Sequence, residues 1–221
     1  MNALLPLGEG FLEVVSPVVA DASAQRWIER RGGDAGYMLI FQCEAEALDA
    51  EVARAEASAL DAEVARAEAA GARRVWSGER EGGRTVHFHP RELGAIASLD
   101  AMPAWSDWVW AGPREAGAGA GRPGEGIAGA RLVGPDPEAL AAHWGALLGL
   151  APQPGGEGPR IELPRGGWLH FEAGAGPALV GLEVAVTDPA RFAARAEARG
   201  LLQGDGSALV AGTRIAARPA S

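Results

Sequence analysis

GYMLIFQC (36–43), followed after a short interval by LDAEVARAEAAG (60–71), sets an apolar strand-like run ahead of an Ala-rich amphipathic helix that closes on Gly71. The plan returns in IAGARLVGPDPEALAAHWGALLG (127–149) and in LVGLEVAVTDPARFAARAEARG (179–200), where an Asp-Pro pair punctuates the step from strand to helix. Short strand-like runs follow each copy. A unit recurring about every 50 residues has one apolar face that only another copy can cover. The repetition predicts an α+β fold of paired modules in two domains, spanning 1–110 and 127–221. Between them AGPREAGAGAGRPGEG (111–126) has the Gly, Ala and Pro content of a linker. Gly119, Gly121 and Gly124 spell GxGxxG, but Pro123 interrupts it and no strand and helix frame it, so a dinucleotide loop is not predicted.

Composition excludes several classes. The chain of 221 residues has a formal charge of -9, and all of its basic residues are Arg. An acidic chain without a basic face does not suit phosphate neutralisation on nucleic acid. Without Lys there is no Schiff-base amine and no phosphate-loop Lys. The single Cys43 ends an apolar run and has no cationic neighbour in sequence, so it reads as a buried, inert thiol in a reducing compartment. Neither a signal peptide nor a membrane span is legible, and a cytoplasmic protein is expected.

Along the first half, Asn2–Leu7 and Gly10–Val15 read as strands across a Gly turn, followed by a polar helix near 22–31 and a strand at Tyr37–Cys43. Further strands are expected near 74–77, 85–89 and 95–99. ALDAEVARAEA occurs twice, at 47–57 and 59–69. A shift of twelve residues rotates a helix by about 120°, so Leu48 and Val52 cannot share a groove with Leu60 and Val64 on a straight helix. Only one copy is expected to pack on a sheet, the other extending beyond it or kinking near Ser58.

GYMLIFQC, LDAEVARAEAAGARRVW (60–76) and TVHFHPRELGAIASL (85–99) together resemble the second half of a vicinal oxygen chelate domain, the superfamily of glyoxalase I and the extradiol dioxygenases. NALLPLGEGFLEVVSP (2–17) is similar to the end of the first half in its glyoxalase-like branch, and 127–219 resembles a second, degenerate domain. The resemblance implies paired βαβββ modules forming cupped mixed sheets, with the first module lacking its first strand and helix. In that superfamily metal ligands come from the first and last strands of each module.

Carried over by position, Glu13 matches the carboxylate ligand, whereas Met38 and Ser98 stand where the family has His and Glu, and Gly129 and Gly181 take the first-strand positions of the second domain. A divalent ion needs about three converging donors. Glu13, His87 and His89 are the one compensating set, since His87 and His89 alternate on one strand face. His170 and Glu172 share a face likewise, but read as structural because no third partner is evident.

Three readings stand. The preferred one is a small-molecule-binding protein whose metal site is incomplete, with Glu13, Met38, Trp76, His87, His89 and Ser98 facing the ligand and no cofactor required. The alternative is a lyase, isomerase or dioxygenase using divalent Zn, Fe, Mn or Ni, with Glu13 as ligand or base. The third is an interaction protein, a homodimer included, because an unpaired sheet edge invites another chain. Trp105, Trp108 and Trp110, crowded before the linker, read as sealing a domain interface, and otherwise as an aromatic wall.

Overall fold

The computed structural model describes residues 1–43, 52–103, 108–111 and 125–220, with the side chains of 52–58 and 111 left out. It opens on a hairpin, β1 (Asn2–Leu7) and β2 (Gly10–Val15), turning on Gly8 at φ +60°. Helix α1 (Ser23–Arg31) ends on Gly32 in the left-handed region, and its buried Trp27 donates to the Gly36 carbonyl at 3.1 Å. Then come β3 (Met38–Gln42), α2 (Val52–Ala69), β4 (Arg74–Arg80), β5 (Gly83–Phe88) and β6 (Ile96–Ala101), the expected βαβββ order. They form a four-stranded sheet ordered β3-β6-β5-β4, in which only β3 and β6 run parallel.

After a short turn at Val109–Ala111 follow β7 (Gly126–Gly134), α3 (Pro137–Leu148), β8 (Arg160–Glu162) and β9 (Trp168–Ala173). The last module is β10 (Ala178–Val186), α4 (Pro189–Glu197), β11 (Ala208–Val210) and β12 (Thr213–Pro219). These strands make one six-stranded sheet, β11-β12-β10-β7-β9-β8, joined at its centre by the antiparallel pair β7 and β10. Each later module has βαββ plus an isolated bridge, at Gln153 and at Leu202, in place of a full third strand.

The Asp-Pro pairs start helices. Asp136 accepts from the Ala139 amide at 3.0 Å and Asp188 from the Arg191 amide at 2.8 Å, with Pro137 and Pro189 at the first helical position, where a missing N–H is harmless.

One apolar core lies between the sheets. Leu60, Val64 and Ala67 of α2 cover Val86, Phe88, Ala97 and Leu99, while Leu140, Trp144 and Leu147 of α3 cover Ala130, Leu132, Leu169 and Phe171, and all belong to one cluster. Trp144 donates its indole N–H to the Leu93 carbonyl at 2.9 Å and meets Phe41 at 5.9 Å, tying the sheets together. The second copy of the tandem repeat packs in this core through Leu60, Val64 and Ala67. The helix is unbroken through Ser58, and Leu48 and the side chain of Val52 fall outside the described residues, as does most of the expected linker at 111–126. Among the described residues no helix is long and apolar enough to cross a membrane.

Leu60 is fully buried at the centre of this core. Leu60→Ala is expected to lower unfolding free energy by about 2–5 kcal/mol in urea titrations; a loss below about 1 kcal/mol would mean that the second copy does not carry the packing.

Candidate functional site

Because side chains alternate across a strand, covering one face of the first sheet with α2 leaves Trp76, Thr85, His87, Ser98 and Asp100 on the other. Thr85 pairs across the strands with Asp100, and His87 with both Ser98 and Trp76. Asp100 is 2 % exposed. Its Oδ1 accepts from Thr85 Oγ1 at 2.6 Å and Ser98 Oγ at 2.5 Å, and its Oδ2 accepts from Trp108 Nε1 at 3.1 Å. Burying a carboxyl group is tolerated when each oxygen is bonded in this way.

Aromatic rings wall this cup. His87 lies 4.6 Å from Trp76, Trp76 6.5 Å from Trp110, and Phe11 of the hairpin 5.5 Å from Trp108. Trp110 Nε1 is buried without a partner in the described structure. These groups line a cavity of about 1170 Å³ that runs on past β2 and β3 to Gly129, Trp168 and Leu182 of the second sheet.

Of the residues singled out in the sequence, Glu13, Met38, Trp76, His87 and Ser98 line the cavity, and His89 does not. His89 sits just past the end of β5, its Nδ1 accepting the Arg91 amide at 3.1 Å, which turns it away from its neighbours on the strand face. Glu13 accepts from Asn2 Nδ2 at 2.7 Å. Among the described residues the ligand atoms of Glu13, His87 and His89 do not form a group at metal-binding distance. Ser98 is spent on Asp100, and Met38 offers only a thioether. Ser98 and Met38 thus bring neither a carboxylate nor an imidazole to the first cup.

The Trp expectation is revised in part. Trp108 and Trp110 stand over the cup rather than serving only as a seal between units, because Asp100 captures the Trp108 indole; Trp105 lies outside the described residues. The sequence reading missed Thr85 and Asp100, although each stands two residues from a chosen neighbour and so on the same face. Cys43 also lines the cavity, and burial, with Glu63 and Asp100 nearby, pushes its thiol up to about 12, leaving it protonated and inert.

The second sheet corrects the view that His170 and Glu172 lack a third partner. Donor atoms of Glu157, His170 and Glu172 lie within 4.8 Å of one another, brought together by the loop before β8. His170 Nδ1 is 3.1 Å from Glu172 Oε1. Arg131 Nη1 donates to that oxygen at 2.5 Å, stands 3.8 Å from Glu157, and sits with Arg160 against the Trp168 ring. The Arg131 guanidinium supplies positive charge beside these carboxylates. Gly129 follows from the same packing: a Cβ there would run into the Trp168 ring.

The comparisons can now be set against this geometry. The family model for the glyoxalase-like domain matches residues 1–148, and the chain belongs to that family, within the vicinal oxygen chelate superfamily. A hypothetical protein from Staphylococcus aureus superposes with a TM-score of 0.62 at 8% identity, covering 99% of this chain and 84% of its own. A Mn(II)-bound glyoxalase from Novosphingobium aromaticivorans gives 0.54 at 16% identity, covering 81% and 61%. The 2,2',3-trihydroxybiphenyl 1,2-dioxygenase of Sphingomonas wittichii gives 0.52 at 14% identity, covering 82% and 69%. At these identities the likeness is one of fold. No curated protein matches the sequence.

Burial lowers the pKa of His87, against a smaller opposing pull from Asp100, and burial with nearby Arg73 and Arg91 lowers that of His89. The unfolded chain thus binds more protons below about pH 6.5, so stability is full above that value and falls as the solution is acidified below it. His87→Gln is expected to shrink the difference between melting temperatures at pH 7 and pH 5. An undiminished difference would remove His87 as a cause.

Proposed function

We propose that this chain is a small-molecule-binding protein of the glyoxalase-like type, recognising its ligand in the first cup without a competent metal centre there. The observation carrying this reading is the buried Asp100 carboxylate facing a cavity walled by Trp76, Trp108 and Trp110. Flat rings accept a flat ligand, and the polar groups limit its chemistry. Asp100 Oδ2, now bonded by an indole N–H, accepts from a ligand N–H or O–H that replaces it. The unpartnered Trp110 N–H donates to a ligand acceptor. The ligand class is a planar, neutral or cationic heteroaromatic or phenolic molecule bearing a donor beside an acceptor. Neutral His87, stacked on Trp76, adds area and one more polar contact.

A thermal-shift and Trp-fluorescence screen of N-heterocycles and phenols tests this. Hits are expected to quench fluorescence, and Asp100→Asn to weaken them about 10- to 100-fold, as loss of a charged acceptor does. Binding indifferent to both Asp100→Asn and Trp76→Ala, in variants that melt cooperatively, would overturn the reading.

A second reading, a divalent-metal-dependent lyase, isomerase or dioxygenase, is favoured by one observation, the convergence of Glu157, His170 and Glu172. These residues would hold the ion, and a bound ion would polarise a substrate oxygen. Arg131 would have to leave Glu172 first. Calorimetric titration with Mn²⁺ and Zn²⁺ separates the readings: binding that His170→Ala abolishes and Arg131→Gln strengthens supports the metal site, and no heat from wild type or Arg131→Gln excludes it.

A further inference from the structure

We propose that Trp108–Trp110 is a resident strap over the first cup, holding the Asp100 acceptor against its ligand and moving off as a unit when that ligand binds. This rests on the reading that the cup takes its ligand through Asp100, and it adds how access to that group is controlled. Trp108 and Trp110 line the cavity, while Val109 between them does not and is 7 % exposed. The short turn thus has two rings in the site and one anchor outside it.

The anchor has a seat. A Cβ at Gly83 would stand 2.5 Å from Val109 Cγ2 and 3.2 Å from the Met102 sulfur, so a residue without a side chain leaves the room that Val109 takes. Gly83 begins β5 and is not among the residues with positive φ, so no backbone conformation calls for glycine at this position. The packing of Val109 calls for it. The rings are held more lightly, Trp108 meeting Phe11 at 5.5 Å and Trp110 meeting Trp76 at 6.5 Å.

Asp100 divides its bonds between the sheet and the strap. The sheet donors, Thr85 and Ser98, both reach Oδ1, at 2.6 and 2.5 Å, whereas Trp108 reaches Oδ2, at 3.1 Å. Departure of the strap therefore opens one oxygen and leaves the other bonded, so the carboxyl group stays fixed while its outer side changes partner. The closed strap also carries an unmet group, since buried Trp110 Nε1 has no partner among the described residues. The indoles of Trp27 and Trp144 differ in this respect: they donate to main-chain carbonyls at 3.1 and 2.9 Å and belong to the framework. A buried donor without a partner costs stability that opening to water recovers, and this narrows the margin by which the closed form is favoured.

A tethered ring competes at a fixed effective concentration, so the apparent affinity of a ligand is reduced by the fraction of molecules in the open form. A ligand able only to stack makes no bond to Oδ2 and does not offset the loss of the indole contact. One that brings its own N–H or O–H restores that bond. The strap thus selects planar ligands carrying a hydrogen-bond donor over apolar rings of the same size.

The probes are 2-aminopyridine, which sets an amino donor beside a ring acceptor, and pyridine, which lacks the donor. In the full chain without ligand, Val109→Ala and Gly83→Ala are expected to speed hydrogen exchange of the Trp108 indole N–H about tenfold, leaving those of Trp27 and Trp144 unchanged. By calorimetry both variants are expected to bind 2-aminopyridine about tenfold more tightly than wild type, and to bind pyridine where wild type does not. Binding of 2-aminopyridine that Asp100→Asn weakens but that is equal in wild type, Val109→Ala and Gly83→Ala overturns the strap and leaves the reading of the cup standing. Unchanged Trp108 exchange in Val109→Ala overturns the strap as well, even where Gly83→Ala fails to fold. Absence of 2-aminopyridine binding by wild type and by the loosened variants overturns the strap and the reading of the cup together.

Discussion

The contact between α2 and α3 is the constraint from which the rest follows. Leu60 and Val64 on one helix and Leu140 and Trp144 on the other belong to a single apolar cluster, and each helix lies on the apolar face of its own sheet. Two sheets back to back across a helix layer have only their outer faces left for polar side chains. Strand alternation then decides which residues those are: Thr85, His87, Ser98 and Asp100 on the first sheet, Arg131, His170 and Glu172 on the second. Trp144 locks the relation, since its indole N–H reaches a main-chain carbonyl of the opposite unit and a loss there would leave a buried donor unmet.

Much of the fold was legible in the residues because its signals are local. Asp136 and Asp188 are helix caps at the positions their Asp-Pro pairs mark, and Gly149 and Gly32 end helices in the left-handed region. The second copy of the twelve-residue tandem supplies Leu60 and Val64 to the core, while the side chains of the first copy lie outside the described residues. Glu13, Met38, Trp76, His87 and Ser98 were chosen by position, and all border the cavity.

What was not legible is what depends on distance along the chain. Glu157 is 15 residues from Glu172 and reaches it through a loop whose path no periodicity reports. The role of Trp108 depends on Asp100 bonding its indole from another segment, and a Trp-rich stretch says nothing of where it folds back. His89 failed for the opposite reason: alternation placed it on the cup, but the strand ends one residue earlier and the Arg91 amide takes its nitrogen. Periodicity is a sound guide only as long as the strand lasts.

The buried carboxylate and the metal question meet on one strand. Ser98 and Asp100 stand two residues apart, about 6.6 Å along one face of β6. Asp100 belongs to no group of three ligand atoms at metal-binding distance among the described residues. Ser98 instead becomes a donor to Asp100, together with Thr85 and Trp108, and the four form a network in which each polar atom restrains the next. Such a network fixes the carboxyl group against an aromatic wall. A metal bound at this group would require it to give up hydrogen bonds that make its burial tolerable.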